Sequence, residues 1–180
     1  VAGTSGSGKS EFLRSVLASL AARNSPDTLR LTLIDPKRVT FSALGKSPFL
    51  EHGGVLFELE PAIECLEALG NEMQSIYEGL SLGNPLPIAR VVVIDEFADL
   101  IRDRVFSKRF EASIQKLAAL GRAANFHLIL ATQYPTHQVI NTAIKVNLPV
   151  RVCLKMPSSK NSHMVIDQGG AEHLLGRGDL

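Results

Sequence analysis

VAGTSGSGKSEF, residues 1–12, sets three glycines and three serines around a single lysine. Gly3 to Ser10 matches G-x-x-x-x-G-K-[ST] at every fixed position. Val1 and Ala2 ahead of it read as the end of a strand. Behind it, residues 11–23 repeat Phe12, Leu13, Val16, Leu17 and Leu20 at helical spacing. In such a strand–loop–helix the glycines let backbone N–H groups curl around a phosphate without side-chain clash. The following helix points its positive end at the same anion. Gly3, Thr4, Ser5, Gly6, Ser7, Gly8, Lys9 and Ser10 are therefore the candidate nucleotide-binding residues. Lys9 can reach the β- and γ-phosphates and the Ser10 hydroxyl can ligate Mg²⁺, so ATP and Mg²⁺ are the expected cofactors.

Outward from this loop, strands alternate with amphipathic helices. LRLTLID at 29–35 reads as a strand, and residues 36–60 as irregular chain. A helix is expected from near Pro61, with Ile63, Leu66, Leu69, Met73 and Ile76 on one face. VVVID at 91–95 is apolar on both faces, as a central strand of a parallel sheet must be. A second long helix is expected over 107–124, then a strand over 126–132, a short helix within HQVINTAIKV, and a strand over 149–155. The alternation predicts an α/β fold with a mostly parallel central sheet and helices on its faces.

The acidic end of the 91–95 strand carries the second half of the chemistry. Ligands collect at the C-terminal edge of strands in open α/β sheets. Asp95 is placed there to hold Mg²⁺ or its waters, and Glu96 to orient and polarise an attacking water. Asp99 reads as a helix-start charge. The 126–132 strand ends in Thr132 and Gln133, where a polar side chain can sense the γ-phosphate.

Bulk composition narrows little beyond this. The chain has 180 residues, enough for one substantial core, with 19 basic against 18 acidic residues, so no global basic excess announces a nucleic-acid binder. Cys65 and Cys153 lie in apolar contexts and read as buried free thiols, which suits a reducing cytoplasm. No apolar run approaches the ~20 residues of a membrane span, so no membrane contact is expected from this segment.

AGTSGSGKS, LIDPKRVTFS, VVVIDEFADL, LGRAANFHLILATQYP, IKVNLPVRVCLK and IDQGGAEHLLGRGDL together resemble the motor domain of the FtsK/SpoIIIE family of DNA translocases. The resemblance covers nearly the whole chain. It implies one RecA-like P-loop ATPase domain over 1–180, part of a longer protein that an absent segment could anchor in a membrane. It further implies a homo-oligomeric, hexameric ring that binds ATP between subunits and pumps double-stranded DNA. By motif, Lys9 and Ser10 fall on phosphate and Mg²⁺, Asp95 and Glu96 on metal and water, and Gln133 on γ-phosphate coupling. Arg122 matches a family arginine that either faces a phosphate or subunit interface or caps a helix C-terminus. Lys145 either faces DNA phosphates in the pore or is an ordinary solvated lysine.

The chain departs from the family pattern at two places. EMQSIY at 72–77 puts Ser75 and Ile76 where arginines are expected, and Tyr134 replaces an arginine in ATQYP. If those arginines serve a neighbour's ATP, Arg122 or Arg38 must substitute, or hydrolysis is slow. Two alternatives follow: a related ring ATPase that pumps single-stranded DNA or protein, and a non-hydrolysing nucleotide-gated scaffold, which the intact Asp95–Glu96 pair argues against.

Overall fold

Three parallel strands, β1 (Leu29–Ile34), β2 (Ala89–Ile94) and β3 (Phe126–Leu130), lie side by side in the order β1-β2-β3. In register, Leu31 pairs with Val91, and Val91 with His127. The computed structural model describes residues 1–140 and 142–180. Isolated bridges widen the sheet: Leu50 and Leu56 lie against β1, and Ala2 pairs with both Thr132 and Cys153. The chain leading into the phosphate loop is thus a neighbour of the β3 edge. β3 separates it from the acidic strand β2.

The alternation along β2 builds two cores. Val91 and Val93 face a cluster that includes Leu13 and Leu17 of α1 (Lys9–Arg23). Val92 and Ile94 face the opposite cluster, with Ile63, Leu66 and Met73 of α2 (Leu59–Ser81) and Phe110 and Ile114 of α4 (Ser107–Leu120). Each such side chain contributes roughly 1.5–3 kcal/mol through removal of its apolar surface from water. The helices therefore cover both faces of the parallel sheet, as the sequence pattern predicts. Between β2 and α4 runs the short helix α3 (Phe97–Arg102), and after β3 come α5 (Thr142–Asn147) and α6 (Ser159–Ile166).

β3 ends at Leu130 rather than 132 and α2 begins at Leu59; three larger changes stand out. The 107–124 helix stops at Leu120 and tightens into a 3₁₀ turn over Gly121–Ala124, with Asn125 left-handed at φ 62°. Gly121 packs so closely on the next strand that a Cβ there would lie 3.0 Å from the Phe126 carbonyl oxygen. The 149–155 strand contracts to a bridge, because among the described residues only Ala2 and Thr4 pair with it, through Val152, Leu154 and Lys155. The short helix begins at Thr142, after a turn in which the Val139 and Ile140 amides donate to the Thr136 carbonyl. Asn141, inside that expected helix, lies outside the described residues. Both cysteines are buried and free, and burial pushes Cys65 up to about 12 and Cys153 to about 11. Among the described residues, no helix is long and apolar enough to cross a membrane.

Candidate nucleotide site

The phosphate loop folds as a strand-to-helix turn. Gly6 and Gly8 take φ of 75° and 97°, a region closed to most side chains. The Phe12 amide donates to the Gly8 carbonyl at 2.9 Å and starts α1 directly behind the loop. Among the described residues, the amides of Ser5, Gly6 and Gly8 find no acceptor within the chain, and the first amides of a helix have none by geometry. These are the groups a phosphate would accept from. Gly3 must lack a side chain, because a Cβ there would collide with the Ser7 hydroxyl, which is fully buried without a partner.

The far end of the chain closes the back of this loop. The Arg177 and Gly178 amides donate to the Gly6 and Ser7 carbonyls at 3.2 and 2.8 Å. Gly176, Arg177 and Gly178 all have positive φ, and a Cβ on Gly8 would run into the Gly178 backbone. The loop's outward carbonyls are thereby satisfied, which leaves its inward amides to a ligand.

Lys9 and Ser10 begin α1 and meet Asp95 at the end of β2. The Lys9 ammonium, 3% exposed, pairs with Asp95 Oδ1. The Thr40 hydroxyl donates to Asp95 Oδ2 at 2.6 Å and lies 2.9 Å from the Ser10 hydroxyl, so it bridges the two expected metal ligands. Asp35, at the end of β1, fixes Thr40 by accepting from the Thr40 and Phe41 amides at 2.8 and 2.9 Å. Its other oxygen is buried without a partner. A hydroxyl and a carboxylate brought together by one bridging hydroxyl form the hard-oxygen donor set that Mg²⁺ prefers. The residues fit the ion.

Glu96 is 1% exposed and sits in a left-handed conformation at φ 51°, a strained geometry for a non-glycine residue. Its Oε1 accepts from the Thr132 hydroxyl at 2.7 Å, and both carboxylate oxygens lie 3.2 Å from the Gln133 amide. The Lys37 ammonium donates to Oε2 at 3.0 Å. Burial pulls the Lys37 ammonium down, but the hydrogen bond and charge of Glu96, with the charge of Asp99, outweigh it and hold the lysine above its ordinary value. Burial pushes the Asp99 carboxyl up despite the nearby Lys37 charge. Lys37 and Arg102 lie 5.4 and 5.2 Å from the centroid of the Tyr134 ring, which gives that residue a cation–π role in place of the expected arginine.

The structure thus gathers Lys9, Ser10, Asp95, Glu96 and the Gln133 backbone at one edge of the sheet. Gln133 meets Glu96 through its amide N–H. Arg122 lies elsewhere, in the 3₁₀ turn ahead of β3, at the opposite end of the strands. Lys145 pairs at 2.6 Å with Asp167, which also holds Arg151. Arg38 pairs with the exposed Glu58 and stacks on Phe57. Ile76 packs against the α2–α4 core, where a charged side chain would be costly. Sequence reading assigned no role to Asp35, Lys37, Thr40 or the Gly176–Gly178 backbone. The first three follow the C-terminal end of β1, beside the acidic strand, and their place at a strand end was the available signal.

A family model described as the FtsK/SpoIIIE family matches residues 1–89. The DNA translocase FtsK of Campylobacter jejuni is 40% identical over 99% of this chain, which covers 20% of that protein. Over essentially its whole length the chain is similar to the FtsK/SpoIIIE family. DNA translocase SpoIIIE of Bacillus subtilis is 35% identical over the whole chain, which covers 26% of its length. The chain therefore spans about a fifth to a quarter of these FtsK and SpoIIIE relatives. Among solved structures, the conjugation coupling protein TcpA of pCW3, in monomer form with ATPγS, superposes with a TM-score of 0.82 at 28% identity, over 96% of this chain and 52% of TcpA. The cytoplasmic domain of the type VII secretion ATPase EccC of Thermomonospora curvata superposes at 0.78 with 26% identity, over 96% of this chain and 22% of EccC. The family model's match ends at Ala89, the first residue of β2, so Asp95, Glu96 and β3 lie beyond it, and the longer pairwise similarities cover them.

Proposed function

We propose that this chain is the ATP-hydrolysing motor of a double-stranded DNA translocase that works as a cytoplasmic hexameric ring. The observation that carries the proposal is Glu96: a buried carboxylate fixed by Thr132, the Gln133 amide and Lys37, directly after the residue that pairs with the phosphate-loop lysine. The 35–40% identity to proteins named DNA translocases, over essentially the whole chain, supports DNA as the substrate moved.

In this mechanism the free loop amides bind the phosphates of ATP, and Lys9 leaves Asp95 for the β/γ-phosphate oxygens. Asp95 and Ser10, bridged by Thr40, would hold Mg²⁺, which supplies neutralisation of phosphate charge. Glu96 accepts a hydrogen bond from the attacking water and orients it in line with the γ-phosphate. Gln133, joined to Glu96 through its backbone, transmits the loss of the γ-phosphate to the segment after β3. Arg122, at the far end of the sheet, can act on a nucleotide only if a neighbouring subunit presents one. Lys145 can face DNA only by exchanging Asp167 for a phosphate.

The purified protein is expected to hydrolyse ATP in the presence of Mg²⁺, faster when linear duplex DNA is added, with both activities abolished by Lys9→Ala. Turnover indifferent to duplex DNA and to Lys9→Ala would refute the proposal. One alternative, transport of single-stranded DNA, would show as stimulation by single strands in place of duplex.

A further inference from the structure

A carboxylate offers about four lone-pair positions, and three donors close around those of Glu96, with the one Gln133 N–H shared between its two oxygens. Oε1 receives the Thr132 hydroxyl at 2.7 Å and the Gln133 amide at 3.2 Å; Oε2 receives the same amide at 3.2 Å and the Lys37 ammonium at 3.0 Å. At 1% exposure, the carboxylate has no open side from which to accept a water. A group that must accept from an attacking water therefore has to release a donor first.

The three donors differ in how readily they leave. Thr132 is fully buried, and its hydroxyl oxygen also accepts from the Tyr134 amide at 3.0 Å. The Gln133 donor is backbone, anchored beside a residue bridged to Ala2. Lys37 is a flexible side chain, 36% exposed, with a second acceptor, Asp99 Oδ2, at 4.0 Å and the Tyr134 ring at 5.4 Å. A move of about an ångström brings an ammonium at that separation into ordinary hydrogen-bond range, over a ring that stabilises it on the way.

We propose that Lys37 is a latch on Glu96. In the resting state it occupies Oε2, and its transfer to Asp99 frees that oxygen to accept a hydrogen bond from the water that attacks ATP. Lys37 keeps its proton throughout and touches no reacting atom, so it is a positioning residue. The latch rests on the ATPase reading above, and it explains how a motor can hold a competent base idle until DNA or a neighbouring subunit moves the segment around Tyr134.

The test is steady-state ATP hydrolysis by the native protein, Lys37→Met and Lys37→Arg, with and without linear duplex DNA. Lys37→Met keeps the apolar stem of a partly exposed side chain and loses the donor. Its DNA-free kcat is expected to rise about tenfold, the worth of one charge-assisted hydrogen bond, with KM for ATP unchanged and the ratio of stimulated to basal rate reduced. Lys37→Arg retains a donor and restores the low basal rate. Asp99→Asn weakens the transfer site and lowers the DNA-stimulated rate of the native protein, but has no effect on the Lys37→Met basal rate. A Lys37→Met basal rate at or below the native rate, in a native protein that does hydrolyse ATP, overturns the latch and leaves the ATPase reading standing. A native protein with no turnover overturns both.

Discussion

The nucleotide edge and the α5–α6 face handle charge in contrasting ways. At the nucleotide edge, Lys9, Asp95 and Glu96 are 3%, 4% and 1% exposed, and each ionic group has partners fixed by strand ends. On the α5–α6 face, Asp167 is 59% exposed and shared by Lys145 and Arg151. A buried ion pair that loses one member leaves an uncompensated charge away from water, whereas an exposed pair that loses one gains solvent in exchange. The first region is therefore committed to one chemistry and sensitive to single substitutions. The second can trade partners at little cost.

Removing the buried lysine gives the largest expected effect. Lys9→Ala should lower unfolding free energy by about 3–5 kcal/mol, because Asp95 is left buried without its counter-charge. Adding Asp95→Asn should recover part of that loss. A denaturant midpoint unchanged by Lys9→Ala would show that the pair is not dry. Thr40→Val comes next: it strips Asp95 of a buried donor and should cost about 1–3 kcal/mol, while raising the Mg²⁺ concentration needed for half-maximal hydrolysis. Unaltered Mg²⁺ dependence would separate Thr40 from the metal site.

Asp167→Asn tests the other side of the contrast. Stability should change by less than about 1 kcal/mol, as for exposed ion pairs generally. With Lys145 and Arg151 released, duplex affinity should rise several-fold with a steeper salt dependence. Unchanged affinity at every salt concentration would remove this face from the DNA path. A pH-dependent effect is expected at Glu172, whose carboxyl is held down to about 2 by the Ser162 hydroxyl and by its own and the Gly170 amides. The unfolded chain binds that proton more readily, near the ordinary 4.5, so the stabilisation is full above pH 4.5 and lost as pH falls through about 2. Glu172→Gln should lower Tm at neutral pH, with the difference from native shrinking below pH 4.5. A difference independent of pH would contradict the assignment.

How much of this was legible in the sequence follows the same division. The phosphate loop, β2 and the pair Asp95–Glu96 could be read directly, because buried parallel strands and phosphate cradles allow few residue types at fixed spacing. The strand order could not: that β3 lies between the phosphate loop and the acidic strand depends on long-range bridges such as Ala2 to Thr132, and this is what delivers Thr132 and the Gln133 amide to Glu96. Thr40 and Lys37 escaped notice because LIDPKRVT has no periodicity and the carboxylates they bind in the site, Asp95 and Glu96, lie 55 and 59 positions away. Lys145 was ambiguous for a different reason. Its partner Asp167 lies across a bend from α5 to the end of α6, which no local pattern encodes.

Glu96→Gln tests the central claim most directly, since it preserves shape and removes the charge that orients water. Nucleotide affinity should stay near native while turnover falls about 10²–10⁴-fold, the range for loss of a general base. Hydrolysis by Glu96→Gln at the native rate, with nucleotide bound normally, would contradict the account.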